Sequence, residues 1–512
     1  MPGLRAFPLL VILMALTALA MLMPAAHAYA SGDPDSGRPF FYGAIMMAVL
    51  TAMIGLATMG RSRSETRHAP LRAMVLAYLV LPPLMALPFH QALGDTSFGN
   101  AWFEMLSSFT TTGATVYDVP GRLSDSLHLW RALIGWLGGF FVLVMAVAVL
   151  MPLNLGGMEV LSGRTGAARA RQITHIADMR ERMGRFAQLL LPPYAGFTLV
   201  LWLALVMVGE TGFDALCLAM ATVSTSGILP DPALAGQVGA GAAQVGLASG
   251  MAGEMLIAVL LCLGITRRAY PGALFGDADL PLRRDPEIHL ALAIVLGVTL
   301  VLFLRHWVGA IEQSEGGDWS AFMGVLWANA FTTLSFLTTT GIPSGGWSGA
   351  QDWSGLEAHG VILMGLAIIG GGVATTAGGV KLLRVYALFR HGQREMERLI
   401  HPHSVSGGGP LARQLRGEGA QMAWVFFMMF ALSILAITGA LTLTGLHFDP
   451  ALILSVSALT TTGPLAALAG ETPVRYAELG GVSQAILGVA MVLGRVEALA
   501  ILAMLAPDTW RR

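Results

Sequence analysis

One short pattern, met four times, limits what this chain can fold into more than anything else in it. The fullest copy is Phe331-Thr-Thr-Leu-Ser-Phe-Leu-Thr-Thr-Thr-Gly341-Ile-Pro343. Its core of three threonines and a glycine recurs at Thr110–Gly113 and Thr460–Gly463, and a looser copy, Ser224-Thr-Ser-Gly227, lies between. The glycines at 113, 227, 341 and 463 are nearly evenly spaced, so the chain repeats one unit four times. Such a period is too long for a solenoid repeat and suits the internal repeats of membrane transporters.

The composition agrees. The chain has 512 residues, of which 55% are hydrophobic and only 12% charged. That is about half of the roughly 25% charge of soluble domains, too little to cover a soluble surface of this size. Cys217 and Cys262 both sit in apolar stretches, which argues against a structural disulfide or a metal cluster.

Apolar runs predict an all-α integral membrane protein. Phe7–Ala28 follows Arg5 and reads as a first span, although Ala26-His-Ala28 and Ala28-Tyr-Ala30 leave a signal-peptide cleavage site open. Phe40–Met59 completes a leading pair over residues 1–70. Four units follow, each a span, a short apolar segment, a Thr-Gly loop and a second span. They cover residues 71–163, 164–285, 286–405 and 406–512. The short segments Phe98–Phe109, Asp214–Val223, Phe322–Leu337 and Ala451–Leu459 are read as re-entrant. On that count every arginine-rich connection, from Arg61 to Arg72, Arg164 to Arg185, Arg267 to Arg284 and Arg390 to Arg416, falls on one side with both termini. The positive-inside rule makes that side cytoplasmic.

Irregular backbone at membrane depth survives only where it lines a cavity. Four repeated loops therefore imply a pore on a pseudo-fourfold axis. Backbone carbonyls can replace the hydration shell of a cation, and the negative C-terminal ends of the short helices would favour one. The candidate filter is Thr111, Thr112 and Gly113; Thr225, Ser226 and Gly227; Thr339, Thr340 and Gly341; and Thr461, Thr462 and Gly463. One copy alone could be mere small-residue helix packing; four copies after four short segments point to ion conduction.

With these motifs the chain resembles the TrkH branch of the Trk/Ktr/HKT superfamily of potassium transporters. The matching stretches are Thr110–Thr115, Thr222–Gly227, Thr338–Gly341 and Thr460–Pro464. Trp130-Arg-Ala-Leu-Ile-Gly-Trp-Leu-Gly-Gly139, Pro152 with Gly156-Gly-Met158, Gly370–Lys381 and Gly494-Arg-Val-Glu497 extend the likeness. It implies potassium as substrate, no cofactor in this chain, a homodimer in the bacterial inner membrane, and a cytoplasmic TrkA-type nucleotide-binding partner. Ser226, Phe140-Phe141 and Leu465 depart from the family pattern. A sodium or mixed monovalent cation transporter of the same fold is the alternative; in relatives a serine in the first loop accompanies sodium permeation, and here that residue is Gly113.

The third unit alone carries a glycine cluster in its second span: Gly370, Gly371, Gly372, Gly378 and Gly379 around Thr375 and Thr376. Each glycine disfavours helix by roughly 1 kcal/mol relative to alanine, so the helix should break there. The resemblance implies a mobile gate, with Lys381, the only lysine in the chain, and Arg495 as repelling cations. Arg495 and Glu497 could also form a mutual structural pair. No nucleotide-binding glycine motif occurs, and nothing suggests nucleic acid binding. An intramembrane protease around Ser249-Gly250 would leave the four repeats unexplained, and His401-Pro-His403, a possible metal pair, reads as part of a solvated cytoplasmic loop.

Overall fold

The computed structural model describes residues 8–59, 69–151, 156–157, 179–230, 247–270, 285–312, 319–347, 359–401, 418–470 and 472–497. The arginine-rich connections around 60–68, 158–178, 271–284 and 402–417 lie outside the described residues, as do Pro152, Met158 and His403.

Described secondary structure is entirely helical. A leading hairpin of α1 (Leu9–Ala30) and α2 (Pro34–Thr58) packs on itself and against α3 and α5. Asp33 ends the turn between them by accepting from Ser36 N, with Pro34 at the first helical position, where its missing N–H costs nothing. The first unit follows as α3 (Ala69–Leu93), α4 (Phe98–Phe109) and α5 (Asp125–Met145), the last prolonged by a π-helical turn over Ala146–Leu150. The second is α6 (Met179–Val208), α7 (Gly212–Val223) and α8 (Gly250–Leu261). The third is α9 (Pro286–Glu312), α10 (Trp319–Leu337), α11 (His359–Ile369) and α12 (Leu382–Ile400). The fourth is α13 (Glu418–Thr442), α14 (Phe448–Leu459), a one-turn helix Leu465–Leu468, and α15 (Gly481–Val496).

Among the described residues seven helices are long and apolar enough to cross a membrane: α1, α2, α3, α5 with its prolongation, α6, α9 and α13. The short segments behave as the sequence suggests. Helices α4, α7 and α14 have 12 residues each, about 18 Å of helix against a hydrocarbon core of roughly 30 Å. Serine and threonine start two of them: Ser97 accepts from Asn100 N at 3.1 Å and Thr211 from Asp214 N at 3.1 Å. The third short helix begins earlier than expected, at Trp319 rather than Phe322. Among the described residues only α5 of the expected second spans is long; the one expected over 361–388 ends at Ile369 and resumes at Leu382 as the amphipathic α12, because the glycine cluster intervenes.

The same packing recurs around the molecule. Each first helix lies on its own short helix: α3 on α4, α6 on α7, α9 on α10, α13 on α14. Each second helix packs on the short helix of the next unit: α5 on α7, α8 on α10, α11 on α14, and α15 back on α4. The last contact closes the circle, although its partners lie at opposite ends of the chain.

Candidate functional site

The four Thr-Gly stretches begin as four identical helix ends. The third hydroxyl residue of each donates its N–H five residues back: Thr112 to Ser107 O at 2.8 Å, Ser226 to Ala221 O at 2.9 Å, Thr340 to Ser335 O at 3.0 Å, and Thr462 to Ser457 O at 2.9 Å. The middle residue donates three back, completing a Schellman cap. That cap needs a left-handed residue, usually glycine, yet here it is Thr111, Thr225, Thr339 and Thr461, with φ between 51° and 57°. A β-branched residue in this region is an outlier, at a cost of about 1–3 kcal/mol each that surrounding structure must hold in place.

Side chains explain why the outer two of the three positions carry hydroxyls. The outer two meet: Thr110 Oγ1 and Thr112 Oγ1 at 2.8 Å, Ser224 and Ser226 Oγ at 2.9 Å, and the pairs Thr338–Thr340 and Thr460–Thr462 at 3.2 Å each. The looser second copy thus keeps the pairing with serines. The middle hydroxyls of Thr111 and Thr225 are buried with no hydrogen-bond partner among the described residues.

The loops then touch in order around a closed ring. A Cβ added to Gly113 would meet Ser226 O, and one on Gly227 would meet Thr340 O. On Gly341 it would lie 3.1 Å from Thr462 and 3.2 Å from Pro464, and on Gly463 it would meet Gly113 and Ala114. Gly463 N also donates to Thr112 O at 2.6 Å, joining fourth loop to first. All twelve candidate filter residues therefore come together.

The broken span lies against the helix ends of these loops. Val380 N and Lys381 N bond back to Ile368 O and Ile369 O at 2.9 Å each, so residues 370–379 form a loop closed at its base. Gly378 N donates to Thr339 Oγ1 at 2.7 Å, Thr376 Oγ1 to Val223 O at 3.4 Å, and Gly378 abuts Thr460 O. The first loop is reached through Arg495, whose guanidinium donates to Thr110 O at 2.5 Å and to Thr376 O at 2.6 Å. Thr375 Oγ1 donates to Gly372 O at 2.7 Å, Gly372 N to Gly264 O at 2.8 Å, and Leu382 N to Gly371 O at 2.9 Å. Gly370 and Gly379, at φ 72° and 77°, pack so closely that a Cβ on either would strike the other's backbone segment. Lys381, at φ 86°, folds its ammonium back to Ala377 O.

Arg495 and Glu497 do not pair. Glu497 instead binds Arg384 of α12 at 2.9 Å and accepts from Gly156 N at 3.1 Å. Residues two apart on a helix do not face each other, and Glu497 at φ 67° has already left α15. Two further buried ion pairs went unrecognised in the sequence. Arg131 Nε lies 2.6 Å from Glu104, whose other oxygen accepts from Thr115 Oγ1 at 3.2 Å and Val116 N at 3.1 Å, just past the first loop. Glu287 pairs with Arg267 at 3.0 Å and accepts from Val373 N at 2.8 Å, inside the broken span. Charged residues in apolar segments were the available signal. Ser249 spends its hydroxyl on Glu210 Oε1 at 2.7 Å, and no His/Cys/Asp/Glu cluster fit for a metal occurs among the described residues.

A sequence profile described as "TrkH: Cation transport protein" matches residues 280–510. The chain is 28% identical to the Trk system potassium uptake protein TrkH of Vibrio parahaemolyticus, over 98% of both chains. It is 29% identical to the Trk system potassium uptake protein TrkI of Halomonas elongata, covering 98% of this chain and 96% of that one. The crystal structure of the potassium transporter TrkH from Vibrio parahaemolyticus superimposes with a TM-score of 0.80 over 100% of both chains at 25% identity. The chain is similar to the TrkH cation transport proteins over its whole length. It is a multi-pass membrane protein of a transport family and not an enzyme. Phe140, Phe141 and Leu465, singled out in the sequence, are packed against neighbouring side chains or buried. Phe141 stacks on Phe109 with ring centroids 5.7 Å apart, Phe140 lies 5.5 Å from Tyr194, and Leu465 is fully buried.

Proposed function

We propose that this chain is the pore-forming membrane subunit of a Trk-type potassium uptake system in the bacterial inner membrane. Two N-terminal helices and four pseudo-fourfold span–loop–span units make up its architecture, with both termini cytoplasmic. The four Thr-Gly loops form the selectivity filter, each contributing backbone carbonyls to a dehydrated potassium ion. The observation that carries this reading is the closed ring of contacts from Gly113 through Gly227 and Gly341 to Gly463 and back. The relatives, potassium uptake proteins, supply the ion.

The segment Gly370–Lys381 is the gate. It lies across the carbonyl ends of the short helices, held by Arg495, and a cation leaving the filter would meet it and the charges of Lys381 and Arg495. A TrkA-type nucleotide-binding subunit on the cytoplasmic face withdraws it, and the chain works as a homodimer with one pore per protomer.

Potassium and sodium fluxes into vesicles containing the purified chain test the reading, together with growth of an uptake-deficient strain at limiting potassium. Potassium flux exceeding sodium flux is expected. Equal fluxes, or sodium in excess, would transfer the site to the mixed-cation or sodium alternative; no flux of either would end the pore assignment.

A further inference from the structure

Glu254 lies in the first turns of α8, in the second unit, yet among the described residues every hydrogen bond it accepts comes from the third. Trp327 Nε1 of α10 donates to Oε2 at 2.8 Å. Ser344 Oγ lies 2.9 and 2.8 Å from the two oxygens, and Gly345 N donates to Oε1 at 2.7 Å. Trp327 precedes the third Thr-Gly loop on its short helix, and Ser344-Gly345 follows it, so one carboxylate grips both sides of the loop. The exit is knotted further: Ser344 N donates to Thr332 Oγ1 at 3.1 Å and Ile342 N to Ser335 Oγ at 2.8 Å.

Glu254 is 5% exposed, and no arginine, lysine or histidine pairs with it among the described residues. Glu104, which grips the exit of the first loop in a similar way, is neutralised by Arg131. A buried carboxylate without a counter-cation is costly unless several donors satisfy it, and here three donors do. Its charge therefore stays local, beside the one loop exit that it fixes. Gly227 of the second loop packs on Thr340 O, so a displacement of the third loop also moves the contact between these two loops.

We infer that Glu254 is a positioning residue for ion selectivity: from the second unit, its carboxylate sets where the third loop's carbonyls stand and adds uncompensated negative charge behind them. This rests on the reading of the loops as a filter. A carbonyl ring discriminates between cations by its spacing and its field, and Glu254 acts on both.

The test uses the full-length chain in vesicles of fixed lipid composition, with potassium and sodium fluxes measured for the unmodified protein, Glu254→Gln and Trp327→Phe. Glu254→Gln keeps the shape but removes the charge and turns one acceptor into a donor facing donors. It should lower the potassium-to-sodium ratio by about fivefold or more while potassium still passes. Trp327→Phe removes one N–H, keeps the ring packing, and should lower the ratio in the same direction by less. Should Glu254→Gln not reach the membrane, Trp327→Phe decides alone. A ratio within about twofold of the unmodified protein in every variant that conducts would overturn the inference. Absence of potassium flux in the unmodified chain would instead remove the filter reading beneath it.

Discussion

The third and fourth loops share the letters Thr-Thr-Thr-Gly and use the last one differently. In the third, Gly341 stands at φ 77° and the chain leaves extended, with Ile342 N held by Ser335 Oγ at 2.8 Å. In the fourth, Pro464 follows the glycine, and a residue before proline is steered to extended conformations. Gly463 has no positive φ, and the chain turns at once into the one-turn helix Leu465–Leu468. Its carbonyl is held internally, by Tyr476 Oη at 3.1 Å and Ala466 N at 3.2 Å. So Gly341 is glycine for its backbone angle, and Gly463 is glycine because loop 1 lies against it. One motif satisfies two different physical demands, and equal sequence does not guarantee equal geometry at the ring.

Substitutions can break that contrast, and the largest effect is expected at Gly463. An alanine there would drive its Cβ into the backbone of Gly113 and Ala114, which would have to shift to admit it. Gly463→Ala should abolish potassium-dependent growth although the protein reaches the membrane; wild-type growth would show that the ring is not closed between these loops. Next comes the gate. Deleting Val373–Gly378 removes the bonds to Thr339, Val223 and Arg495 together. Flux should rise without the nucleotide-binding partner and respond less to it, whereas an intact deletion variant with unchanged flux and regulation would leave the segment a packing role. Gly341→Ala should be milder, because its neighbours stand 3.1–3.2 Å from the new methyl group. Left-handed strain of roughly 1–2 kcal/mol corresponds to about a tenfold loss of uptake. A smaller difference separates the serines beneath the two loops. Ser335→Ala strands the buried Ile342 N–H, at about 1–3 kcal/mol. Ser457→Ala leaves Tyr476 still donating to Gly463 O and should cost roughly 1 kcal/mol or less. Thermal unfolding in detergent reads both, and a greater loss for Ser457→Ala would reverse the order argued here.

What could be read in the sequence was what repeats or what violates helix chemistry locally. Hydroxyls and glycines stand out in an apolar chain, so the four loops and the short helices before them were legible, as was the break at the cluster Gly370–Gly379. The partners of buried charges were not. Glu287 meets Val373 across 86 positions and Arg384 meets Glu497 across 113; nothing in either segment alone names the other. Nearness in sequence even misled, since Arg495 and Glu497 suggested each other and found other partners. The left-handed threonines were equally hidden, because threonine is a residue that the region ordinarily rejects.

The ring drawn from Gly113, Gly227, Gly341 and Gly463 belongs to one continuous chain. In an assembly of four identical subunits, any inherited change at the ring would be imposed four times over. Here each quarter mutates alone and in single dose. Ser224-Thr-Ser-Gly227 and the proline after Gly463 are changes of that kind, each confined to one quarter and absorbed by hydroxyl pairing or by a new turn. Selection can therefore tune such an opening one quadrant at a time, in steps too small to close it.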